Sequence, residues 1–212
     1  MRVLVTLGVL AMAGLSAAAP YFYNGALTAN SPTFDNPGGS SAGTGVHHYH
    51  AFEFTVSVTG NYTFETSSPN TSGTPSNALD TYLRLYQTTF NPGAPGAGIA
   101  SNDDYTGVLT VLPGPYGGTI GGSGTGFTGA QPSSRLLNIG LTAGTTYFLI
   151  NTSFRETSFV ATTGTTAQAV GPWYTGIDGP GTVNPVPEPA TMTALGLGAL
   201  ALIRRRKAKK SA

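Results

Sequence analysis

Asp80 and the run Asn102-Asp103-Asp104 are the residues of this chain whose types best suit a chemical task. Hard oxygen ligands on loops beside strand ends are what Ca²⁺ takes, and extracellular sites can be weak and still be filled. The same run also reads as a solvated turn in which Asn and Asp bond their own backbone. The sequence leaves both readings open. His47, His48 and His50 are the chain's three histidines. His48 and His50 share a face at the start of an expected strand, which suits a soluble strand rim better than a metal or catalytic site. Gly124-Thr125-Gly126-Phe127-Thr128-Gly129 has dinucleotide spacing but lacks the strand before it, the helix after it and the later acid that phosphate binding needs. No Gly-x-Ser-x-Gly elbow occurs, and no two carboxylates are placed as a glycosidase pair. The expectation is a protein that is not an enzyme.

The elements that would position these residues are strands. In residues 48–58, His50, Phe52, Phe54, Val56 and Val58 alternate with polar neighbours. After Thr59-Gly60-Asn61 the pattern restarts with Tyr62 and Phe64 inward and Thr63 and Glu65 outward, which predicts a hairpin. Residues 81–87 set Leu83 and Leu85 against Tyr82, Arg84 and Tyr86. Residues 134–141, with Leu137, Ile139 and Leu141 on one face, and residues 145–151 predict a second hairpin across Thr142-Ala143-Gly144. A last strand is expected at 173–177. Short strands with Gly- and Asn-rich turns point to an all-β, antiparallel sandwich at residues 20–184. Residues 91–132 hold 12 glycines and 5 prolines, which predicts one long surface loop without a core. Residues 30–45 and 161–171 also read as loops, and 178–186 as a linker.

Three stretches, TYLRLYQ at 81–87, GIASNDDYTG at 98–107 and SSRLLNIGLTAGTTYFLIN at 133–151, together resemble the bacterial pre-peptidase C-terminal domain. The resemblance spans roughly residues 49–177. It implies a jelly-roll-like, non-catalytic sandwich of the kind usually appended to secreted proteases, and some members of that family bind calcium.

The two ends carry addresses. Met1-Arg2, an apolar run at 3–15 and Ser16-Ala17-Ala18-Ala19 form a secretory signal at residues 1–19, an expected helix for signal peptidase. At the other end Pro187-Glu188-Pro189 precedes an apolar run at 190–203 and a basic cluster at 204–210. Fourteen helical residues cover roughly 21 Å, short of a bilayer core of about 30 Å. The tail therefore reads as a short transmembrane helix with transient inner-membrane association, its basic end cytoplasmic. An ordinary membrane anchor is the plainer alternative. The order of parts in 185–212 resembles the PEP-CTERM tail of Gram-negative bacteria, which implies recognition by an exosortase and delivery to the cell surface or extracellular matrix.

With both signals removed, residues 20–186 keep three arginines and no lysine against eight acids, a net charge of −5. No basic patch remains for phosphates, which argues against nucleic-acid binding. Cysteine is absent, and a segment of this size can bury a sufficient core without disulfides. The expected protein is an exported surface or matrix component, binding exopolysaccharide or other surface proteins. Tyr82, Tyr86, Trp173 and Tyr174 are its expected stacking aromatics. The alternative is a secreted enzyme accessory or hydrolase-associated domain.

Overall fold

Alternating apolar residues at 52–56, 62–64, 83–85 and 147–149 give each strand one greasy face, and those faces must close on one another. The computed structural model describes residues 18–36, 45–68, 78–105, 107–113, 118–120, 133–157 and 167–187. The signal segment up to residue 17, the tail from Glu188 onward with Pro189, both expected terminal helices and the 124–129 glycine run lie outside them. The strands are β1 (Tyr21–Leu27), β2 (Thr33–Asp35), β3 (Val46–Val56), β4 (Gly60–Ser67), β5 (Ala78–Leu79), β6 (Thr81–Gln87) and β7 (Ala100–Asn102). They continue with β8 (Gly107–Leu109), β9 (Gly118–Ile120), β10 (Ser133–Leu141), β11 (Tyr147–Ser153), β12 (Ala167–Gln168), β13 (Gly171–Asp178) and β14 (Val183–Pro185). Among the described residues there is no helix.

Two antiparallel sheets form the sandwich. One runs β1-β13-β4-β10, the other β14-β3-β11-β6-β7 with β2 added to β3. Phe54, Val56, Leu83, Leu85, Tyr147 and Leu149 of the second sheet meet Tyr62, Phe64, Leu136, Leu141 and Ile177 of the first in one buried cluster. The all-β expectation holds, and β5 with β12 adds one short parallel pair.

Both expected hairpins are arches instead. β3 and β4 lie in different sheets, as do β10 and β11, and each arch pairs with the other: β3 with β11, β4 with β10. Their turns touch where Ala143 N–H donates to Thr59 Oγ1 and Gly144 N–H to Val56 O. A short polar turn suits a hairpin or an arch equally; burial on both sides of the core favours the arch. β10 also departs from simple alternation. The register shifts between Leu136 and Ile139, with Asn138 at φ 55°. This bulge puts Leu136 in the core and leaves Leu137 51 % exposed.

The expected loops carry structure too. β2 lies within 30–45, β12 within 161–171, and β7, β8 and β9 within the glycine-rich 91–132. In the last of these Leu109 and Leu112 are buried against Tyr105 and Tyr174. Phe34, Tyr86, Ile150, Tyr49, Phe90 and Phe148 form a further cluster. The expected linker at 178–186 contains β14, paired to β3.

Candidate functional site

Asp80 occupies the single residue between β5 and β6. Its carbonyl accepts the Phe154 N–H at 2.7 Å, so it is held at the end of β11. β6 pairs with β7 in a register that sets Leu83 opposite Asn102, which carries Asp103 and Asp104 back alongside the start of β6. The head of β10 locks that turn. Arg135 N–H donates to Asn102 Oδ1 at 2.9 Å, Tyr105 N–H donates to Ser133 O at 2.8 Å, and Ser134 Oγ lies within hydrogen-bond reach of the carbonyls of both Thr81 and Asp103, which share its one proton.

One carboxylate oxygen from each of Asp80, Asp103 and Asp104 then lies within 4.8 Å of the others. Three of the four candidate ligands thus converge. Asn102 belongs to the same turn, with Oδ1 on the Arg135 amide and Nδ2 on the Asp104 carbonyl at 3.3 Å. Arg155 Nε stands 3.2 Å from Asp80 Oδ2. Burial pushes the Asp80 carboxyl up to about 6, with Arg155 opposing and Asp104 adding to the rise. Burial, then Asp104 and Asp80, push Asp103 up to about 8. Asp103 Oδ1 is enclosed without a hydrogen-bond partner. Three crowded hard oxygens, only partly neutralised by Arg155, fit a divalent cation of the calcium type.

The expected stacking platform is not on the surface. Tyr82, Tyr86 and Trp173 are 6 %, 4 % and 1 % exposed. Arg84 sits between the two tyrosine rings, 5.9 Å from each, and donates to Asn36 Oδ1 and Ala97 O. Loops that looked structureless in sequence cover this outward face. His47 and His48 are also buried, each with Nδ1 3.0 Å from a backbone oxygen, of Ser153 and Ser31 respectively. Burial lowers the His47 pKa. Only His50 stays exposed, its ring 5.1 Å from Trp173.

Tyr174 does reach the surface, in a groove of about 250 Å³ on the outer face of the four-stranded sheet. Phe22, Tyr23 and Asn24 of β1, Tyr174 and Thr175 of β13, and Leu112 and Pro113 line it. Register explains the floor: Asn24 pairs with Tyr174, and Phe22 pairs with Gly176, whose missing side chain makes room for Val111 and Leu112. Glu65 explains the wall. Expected to face outward into water, it is fully buried. Its Oε1 accepts the Thr110 N–H at 2.9 Å and its Oε2 the Val111 and Leu112 N–H groups at 2.7 and 3.1 Å. Arg135 Nε is 3.2 Å from Oε1. Sequence reasoning missed Phe22, Leu112 and Glu65; a carboxylate within an alternating strand was the available signal.

The two chain ends leave the sandwich at one end. Tyr21 stacks on Phe52 at 5.4 Å, and Pro185 pairs with Phe54. β11 crosses from Tyr147, opposite Phe54, to Ser153, opposite Thr81 beside Asp80. Seven strand residues span about 20 Å, so the carboxylates lie at the far end. Residues 185–207 match the PEP-CTERM protein-sorting motif. No curated protein matches the chain. The motif match supports an exported surface protein processed by an exosortase, and its first residue, Pro185, is the last residue of β14.

Proposed function

We propose that the sandwich is a non-catalytic surface module that takes neutral exopolysaccharide chains in the groove between β1, β13 and the 111–113 segment. The observation that carries this reading is the chemistry of the lining. Phe22, 45 % exposed, and Tyr174 supply ring surfaces for the C–H faces of sugars, and exposed Asn24 supplies a carboxamide for hydroxyl groups. The lining contains no charged side chain, so an uncharged ligand is favoured. The likeness of residues 49–177 to pre-peptidase C-terminal domains supports the same non-catalytic role. Ca²⁺ held by Asp80, Asp103 and Asp104 would tie β5, β7 and the end of β11 together at the far end, a structural duty rather than a reacting one.

The test is sedimentation of the tail-free domain with the producing organism's purified exopolysaccharide. Phe22→Ala and Tyr174→Ala should each weaken binding about tenfold, or roughly 1.4 kcal/mol. Unchanged binding in both variants would remove the groove from consideration. A co-encoded protease that binds the domain more tightly than the polysaccharide does would favour the enzyme-accessory reading.

A further inference from the structure

The sorting motif starts inside the folded domain. Pro185, the first matched residue, ends β14, and Val186, the second, donates its N–H to Glu53 O at 3.0 Å. A binding partner that takes a chain as an added strand reads its backbone N–H and C=O groups. From 185 to 189 the sequence is Pro-Val-Pro-Glu-Pro. Proline has no N–H, so Val186 and Glu188 carry the only amide donors of that stretch. The Val186 donor is occupied by β3. The outer edge of β14 offers no substitute. Ser57 N–H to Thr182 O and Val186 N–H to Glu53 O mark the bonded positions, so Pro185, opposite Phe54, falls where the nitrogen faces away from β3. A proline there blunts the free edge against strand addition.

We propose that β14 is a releasable strap, and that the tail-processing peptidase engages this chain only after β14 has left β3. This inference depends on the tail being processed. The strap is built to open. It has three paired residues, Val183, Asn184 and Pro185, of which Asn184 and Pro185 are exposed and Val183 is half-buried. Val183 is its one side chain packed against the core cluster, and only in part, and such short edge elements open without global unfolding. β3 keeps β11 on its other side. The prolines of the sorting motif would thus have two duties, sealing the edge while the strap is closed and limiting the readable amides once it opens.

The test locks the strap. Thr55 and Asn184 lie opposite one another at a hydrogen-bonded position, where Cα atoms are about 5.5 Å apart, within the span of a disulfide. The chain has no cysteine to compete, and an export compartment is oxidising. In producing cells the oxidised Thr55→Cys/Asn184→Cys precursor should keep its tail, while each single variant loses it at the wild-type rate. Reductant should restore cleavage, and so should a flexible Gly-Ser insertion after Asn184, which frees Pro185 and Val186 with the disulfide intact. Cleavage of the oxidised form at the wild-type rate would overturn the proposal. Val186→Pro tests it without any disulfide: loss of cleavage is expected, and wild-type cleavage would refute the amide argument. A wild-type chain that never loses its tail would sink the processing reading instead, leaving a distinct result.

Discussion

Removing calcium from the tail-free domain should make its stability strongly pH-dependent, and the acid cluster sets the direction. Asp80 and Asp103 both titrate above the ordinary carboxylate value of 3.8, at about 6 and about 8. A carboxyl whose pKa is raised by folding stabilises the fold below its unfolded value and loses that contribution as pH climbs through the folded value. The metal-free domain should therefore be most stable near pH 4 and weaken up to about pH 8. Each proton contributes a slope of at most about 1.4 kcal/mol per pH unit. Arg155 offsets part of the Asp80 cost, and Asp103 is half-buried rather than sealed. Discounting for that screening leaves a fall of about 2–3 kcal/mol across the window. Ca²⁺ binding only the folded state should return about 2.7 kcal/mol at a hundredfold excess over its Kd, a rise of about 5–10 °C in Tm for a domain of this size. Differential scanning calorimetry at about pH 5 and about pH 8, with millimolar Ca²⁺ or chelator, reads both effects. Asp103→Asn should flatten the metal-free pH profile and remove the calcium response while the domain stays folded. A Tm that ignores calcium at both pH values would contradict the metal reading, and a metal-free domain more stable at pH 8 than at pH 5 would contradict the electrostatics.

Two further outcomes concern the sandwich itself. Phe54→Ala should cost about 2–5 kcal/mol in urea unfolding because it leaves a cavity in the core, whereas Thr55→Ala on the opposite face should cost well under half of that; equal losses would contradict the register of β3. Glu65→Ala should cost about 3–5 kcal/mol, since it removes the acceptor of three backbone N–H groups and the carboxylate partner of Arg135, and should open the 107–113 segment to proteolysis; a loss below about 1 kcal/mol would show that this segment holds its place without the carboxylate.

The strand faces were legible wherever one side of a strand meets the core and the other does not. Phe54 and Val56, Tyr62 and Phe64, and Leu83 and Leu85 all lie buried as their alternation predicts. Pairing was not legible, because Thr59-Gly60-Asn61 and Thr142-Ala143-Gly144 would close a hairpin as readily as an arch. Nor was the bulge at Asn138, which shifts β10 by moving Leu137 out and Leu136 in. The outward aromatics misled for a related reason. Period-two patterning says which side of a sheet a residue takes, not whether a loop covers that side, and Phe34 of β2 with the 90–98 segment covers Tyr86. Asp103 and Asp104 could be singled out as carboxylates beside a strand end, although the same residues suit a plain solvated turn equally well. Arg155 could not, since its approach to Asp80 depends on the β6–β11 pairing over a long sequence separation. Glu65 was hidden by its own pattern: a position that alternation assigns to solvent is closed by backbone donors 45–47 residues away.

The central claim is that this is an exported surface domain whose tail is an address, removed once used. Mass spectrometry of the protein recovered from the cell surface and extracellular fraction tests it most directly. The account predicts mature chains that begin near residue 18–20 and end within 187–189, with no peptide from Ala190 onward. Surface protein still carrying Arg204 to Lys210 would contradict it and make the apolar run a lasting membrane anchor.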